Sequence, residues 1–192
     1  MEQITILARV FGCLFYYPLT HTNNFELVNA MSESDDESLF AGLAQRMAID
    51  GDSALATDFQ QLFEGMDVMS APPWGSVYLD REHVVFGDSL LRYREFLVQH
   101  QMALDTGMRE PEDQFGLMLL ALVNLIEQHH DHAAARVLLE QHLLPWCYRY
   151  LELVAKNAQT QTYQYLAITT QQWLRYVQQE LALTPVEMKV YF

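Results

Sequence analysis

Glycine and proline are scarce, 8 and 6 among 192 residues. An all-β domain needs many tight turns, so this scarcity argues against one. Cysteine is scarcer still. Cys13 and Cys147 stand far apart and form no Cys-x-x-Cys pair, which fits packing roles in a reduced compartment. Basic residues number 11 against 25 acidic ones, a net charge of −14. Such a chain repels nucleic acid and anionic membrane surfaces and attracts basic partners. Met1-Glu2-Gln3 is no signal-peptide start. The longest mostly apolar run, Phe115 to Ile126, is too short to span a bilayer. These features predict a soluble, cytoplasmic protein with no stable membrane insertion. The Gly-rich nucleotide motifs and the Gly-x-Ser-x-Gly elbow are missing as well.

What is abundant is material for helices. Hydrophobic residues make up 51% of the chain, and Leu, Ala, Gln, Glu and Met are all good helix formers. Apolar positions recur at helical spacing: Ile4, Leu7, Val10, Phe11, Leu14 and Phe15, then Phe25 and Val28, then Leu39, Phe40, Leu43 and Met47, then Leu55, Phe59, Leu62 and Phe63. The spacing predicts helices over each. The acidic run Glu33–Glu37 reads as a solvated break leading into the third. Asp88 or Ser89 is the expected cap of a helix carrying Leu90, Tyr93 and Phe96. Pro111 suits the first turn of an apolar helix through Ile126, Asp131 caps the next through Leu144, and Pro145 starts another. A last helix covers roughly 161–183 and is ended by Pro185. The expectation is one all-α, multi-helix globular domain over 1–192, of about nine to eleven helices.

Between two of these helices, residues 66–87 read as a long irregular segment. At its centre stands Ala71-Pro72-Pro73-Trp74-Gly75-Ser76-Val77-Tyr78. The proline pair removes two backbone donors and stiffens the chain, and Gly75 offers a bend. A tryptophan on so stiff a segment anchors either the core or a ligand. Met66 and Met69 flank it, flexible thioethers suited to an adaptable apolar surface or to filling core gaps.

Two side-chain clusters invite chemistry. Glu110, Glu112 and Asp113 suit a helix start, paired-carboxylate acid–base work or a receptor for guanidinium groups. The overall acidity favours the receptor over catalysis. His129, His130, His132 and His142 have neither flanking cysteines nor a His-Glu-x-x-His pattern, so a polar inter-helix turn explains the first three better than metal does. His142 reads as a hydrogen-bonded helix-end residue.

Gln61-Leu62-Phe63-Glu64-Gly65, Pro72–Glu82, Phe86-Gly87-Asp88-Ser89, Glu110–Gly116 and His142-Leu143-Leu144-Pro145-Trp146, with Ala8–Tyr17 ahead of them, occur in an order that resembles the redox-enzyme maturation chaperones of the TorD/DmsD/NarJ type. The resemblance is greatest to the DmsD branch, which serves DMSO reductase. It implies an all-helical chaperone with no catalysis and no cofactor. The implied partner is the twin-arginine leader of a molybdopterin-containing oxidoreductase of the DMSO/TMAO reductase type, held in precursor form for cofactor insertion before export. It also implies a monomer able to form a domain-swapped dimer. Carried over residue by residue, the leader-binding region maps onto Leu62, Phe63, Pro73, Trp74, Asp80, Glu110, Pro111 and Asp113. Where the family has a histidine this chain has Gln114, which hydrogen-bonds but takes no charge; a role resting on a cationic imidazole is thereby in question. The residues themselves agree: Asp80, Glu110, Glu112 and Asp113 could bind guanidiniums, and Phe63, Met66, Trp74 and Tyr78 an apolar segment. The alternative is a nucleotide (GTP) binding or hydrolysing protein using the Glu110–Asp113 carboxylates, although no nucleotide motif supports it.

Overall fold

The computed structural model describes residues 2–32, 39–65, 69–103 and 110–192. The acidic run Glu33–Glu37, Met66 and Gly107 lie outside these. Among the described residues the regular elements are all helices. The helices are α1 (Glu2–Tyr16), α2 (Thr22–Ser32), α3 (Leu39–Asp50), α4 (Asp52–Phe63), α5 (Gly75–Leu79), α6 (Asp88–Gln99), α7 (Phe115–Glu127), α8 (His132–Val137), α9 (Leu144–Asn157) and α10 (Gln161–Glu180), with a π-helical segment, Leu138–Leu143, joining α8 to α9. No described helix is long and apolar enough to cross a membrane.

The chain forms two compact units. One comprises Cys13–Pro72 and Arg149–Tyr176. Its centre is aromatic: Phe63 packs edge-on against Phe15, Phe59 and Tyr163. Polar residues tie off its helix ends. Asn24 donates from Nδ2 to the carbonyls of Cys13, Tyr17 and Pro18, closing the C-terminal end of α1. The Asp58 carboxylate accepts from the backbone of Gln159 and Thr160 and from the Thr160 hydroxyl, and so fixes the start of α10.

The other unit comprises Met1–Gly12, Pro73–Tyr148 and Val177–Phe192. Its spine is α7, buried on most sides because it is apolar almost all round. Gly12 lies against it so closely that a Cβ there would stand 3.0 Å from the Gly116 carbonyl.

Four local readings need correction. First, the stretch around Trp74 is not irregular throughout, since Gly75–Leu79 is a short helix. The proline pair restrains only the chain ahead of it, and the helix starts two residues later. Second, neither Asp88 nor Ser89 caps α6. The Ser89 amide and hydroxyl both donate to the Asp80 carboxylate instead, the hydroxyl at 2.5 Å. Third, Pro111 is not in the first turn of α7. That helix begins at Phe115, and the Gln114 side chain accepts from the Leu117 amide at 2.9 Å as its cap.

Fourth, Pro145 does not restart a helix after a break. The chain stays helical through it by widening into the π segment, in which the Leu144 amide reaches back five residues to Leu139. Pro145 has no amide to follow suit, which leaves the Glu140 carbonyl free. The Val186 amide donates to it at 2.9 Å, so the C-terminal segment completes the π turn. Likewise α10 ends at Glu180, before Pro185, where Ala182 adopts a positive φ of 46°.

Candidate functional site

The two segments that carry the candidate residues lie side by side. Residues 73–75 pair with 113–115 in an antiparallel bridge centred on Trp74 and Gln114. The Phe115 amide donates to the Pro73 carbonyl at 2.8 Å, and the Gly75 amide donates to the Asp113 carbonyl at 3.1 Å. Side chains lock this clasp further. The Trp74 indole donates to Glu110 Oε1 at 2.8 Å, and the Ser76 amide donates to Asp113 Oδ2 at 2.6 Å.

Gly75 is required here by close approach. A Cβ on it would meet Trp146 Nε1 at 2.8 Å. Trp146 cannot yield, because it is 1% exposed, donates to the His142 carbonyl at 2.8 Å and stacks on Tyr78 with ring centroids 5.2 Å apart. Gly75→Ala is therefore expected to cost about 1–2 kcal/mol through overpacking, read as a lower urea midpoint, and to displace Trp74 beside it.

The carboxylates divide by environment. Glu110 is half-buried, and desolvation raises its pKa against the lowering effect of the Trp74 bond. Glu112 pairs with Arg94 Nε at 2.8 Å. Asp80 is 9% exposed and engaged by Ser89, so its carboxylate holds the start of α6. Gly87 gives it room, since a Cβ there would collide with that carboxylate.

Asp113 is 3% exposed. Its second oxygen, Oδ1, is buried without a hydrogen-bond partner. Desolvation raises its pKa to about 6, against the lowering effect of the Ser76 bonds. The cavity beside it, lined by Gly75, Tyr93, Gln141 and His142 among others, has a volume of ≈ 10 Å³. That is room for one water molecule and none for a guanidinium. His142 in its wall is held neutral, its pKa lowered to about 4 by burial and by the Arg92 charge.

The remaining candidates are mostly interior. Leu62 and Phe63 are 2% and 6% exposed and belong to the aromatic unit. Pro73 and Pro111 are buried in the clasp. Tyr78 is fully buried, between Trp146 and Phe192. Trp74, Glu110 and Glu112 retain exposed surface. One neighbour, Arg94, escaped the sequence reading. Arg94 contacts Glu112, and its guanidinium carbon lies 5.8 Å from the centroid of Phe86, an exposed ring. Arg94 carries no motif, whereas Phe86 opens the Phe86-Gly87-Asp88-Ser89 stretch, two residues before α6.

Among the described residues no group of three or more His, Cys, Asp or Glu could hold a metal. His129, His130 and His132 are exposed, and Asp131 between them caps α8. An all-helical chain presenting an indole and two carboxylates, with the site's other acids, Asp80 and Asp113, committed to a helix end and to backbone, has the features of a binding protein. The family described as nitrate reductase delta subunit matches residues 29–152. The chain is 37% identical to a probable Tat proofreading chaperone DmsD of Haemophilus influenzae, over 90% of this chain and 91% of that one. It is 34% identical to the Tat proofreading chaperone DmsD of Salmonella typhimurium, over 100% and 96%, and 30% identical to the chaperone protein TorD of a Psychrobacter, over 73% of each. The chain belongs to the nitrate reductase delta subunit family, the TorD/DmsD/NarJ group. That is a family of chaperones without catalysis, so the nucleotide-hydrolase alternative gives way.

Proposed function

We propose that this protein is a cytoplasmic chaperone that captures the twin-arginine leader of a molybdopterin-containing reductase precursor, of the DMSO/TMAO reductase type, and holds it until cofactor insertion. One observation carries the reading: the clasp that sets the Trp74 indole on Glu110 with Glu112 beside it. A twin-arginine leader joins two guanidiniums to an apolar segment. A half-exposed aromatic ring beside carboxylates answers both, and the net charge of −14 draws a basic leader in. Trp74, Glu110 and Glu112 make the contacts. Pro73, Pro111, Asp113 and Gln114 hold the clasp, and Asp80 holds α6.

The buried acid adds support. An ionised Asp113 with an unpartnered oxygen costs stability, and such costs concentrate where function needs them. The test is affinity capture from anaerobically grown cells. Enrichment of a molybdoenzyme precursor with its leader uncleaved is the expected result. Enrichment of mature enzyme alone, or of no molybdoenzyme, overturns the proposal.

A further inference from the structure

Arg94 already makes the contacts that a leader arginine would seek. It stands on α6, whose buried face carries Leu90, Tyr93, Phe96 and Leu97. Arg94 itself points away from that core, its side chain 39% exposed. It donates from Nε to Glu112 Oε2 at 2.8 Å, while its guanidinium carbon lies 5.8 Å from the centroid of Phe86, a ring 64% exposed. A carboxylate on one side and an aromatic face on the other is the combination that distinguishes a guanidinium site from an ammonium site. Glu112 follows Glu110 by two residues, and Glu110 holds Trp74. The carboxylate of the occupied guanidinium site thus stands two residues along the chain from the one that holds the indole of the clasp.

We propose that Arg94 occupies in cis the place of a leader arginine, and that capture proceeds by exchange of one guanidinium for the other on Glu112. The inference rests on the leader-binding reading and adds to it the site's resting state and its selectivity. Exchange never leaves the Glu112 carboxylate, 24% exposed in the pair, without a counter-charge. It also sets a threshold. A lysine offers no planar fork and displaces Arg94 poorly, whereas an arginine replaces it like for like. The same competition eases release, since Arg94 stands ready to retake Glu112.

The test titrates a synthetic peptide, two consecutive arginines followed by an apolar stretch, into the full-length protein. Arg94→Ala and Arg94→Gln are each expected to bind it about two- to five-fold more tightly than wild type, the worth of removing an exposed competing ion pair. Arg149→Ala, which removes an equal charge from the exposed pair with Glu152, gives no such gain. In a Glu112→Gln background the gain from Arg94→Ala disappears. An arginine that merely braces the site would give weaker binding on removal. Equal or weaker binding by both Arg94 variants, with wild type still binding, overturns the exchange and spares the proposed function. Failure of wild type to bind the peptide overturns both.

Discussion

Trp74→Ala is expected to weaken capture of a twin-arginine leader peptide by roughly 30-fold or more, the loss typical of a central aromatic anchor of at least 2 kcal/mol. The fold should survive. Trp74 is only half-buried, and the clasp beneath it is backbone: the Phe115–Pro73 and Gly75–Asp113 hydrogen bonds involve no indole atom. The expected signature is an unchanged far-ultraviolet circular dichroism spectrum with lost affinity. Fluorescence offers a second reading. Trp146 and Trp173 are 1% and 6% exposed, so a blue shift on adding leader to wild type reports Trp74 leaving water. That shift should be absent from Trp74→Ala. An alanine variant that binds like wild type would remove Trp74 from the site.

Asp113→Asn is expected to stabilise the protein at neutral pH by up to about 3 kcal/mol. The Asp113 pKa is raised to about 6 in the folded protein, from an ordinary value of 3.8. The folded state therefore holds this proton more tightly than the unfolded state does. Its stabilising contribution is complete below about pH 4 and is lost as pH rises through 6. Above that the folded protein carries a buried charge with one oxygen unpartnered. Asparagine keeps an acceptor for the Ser76 amide and removes the charge. Urea unfolding at pH 7.5 and at pH 4 separates the cases, with a clear gain for the variant at the first and little at the second. Equal stabilities at pH 7.5 would refute the buried-charge account. Because Asp113 holds Ser76 and has no cavity for a guanidinium beside it, leader affinity should change far less in this variant than in Trp74→Ala.

The helices were legible because their apolar positions follow the helical period, and the period survives packing. The α5 helix was not, because five residues carry too little periodicity and the prolines just before it argue for extended chain. The start of α7 was misplaced at Pro111 because glutamine is an unusual cap; Gln114 serves because the clasp fixes its backbone at ψ 133°. The π segment depends on Val186 reaching the Glu140 carbonyl 46 positions earlier in the chain, and no local window contains that pair. The site divides in the same way. Trp74 and the Glu110–Asp113 acids could be singled out by residue type, but their contact spans 36 positions, and only the resemblance brought them together. Asp80 looked like a guanidinium receptor because nothing in its surroundings announces that Ser89, nine residues on, consumes it. Tyr78 looked like a surface aromatic because the buried Trp146 behind it is 68 positions away in the chain.

Calorimetric titration of the full-length protein with the twin-arginine leader peptide, beside the same peptide with both arginines replaced by lysine, tests the central claim most directly. The account predicts micromolar or tighter binding of the arginine peptide, weakened by added salt, and much weaker binding of the lysine peptide. Absent binding of the arginine peptide, or equal binding of the two, would contradict it.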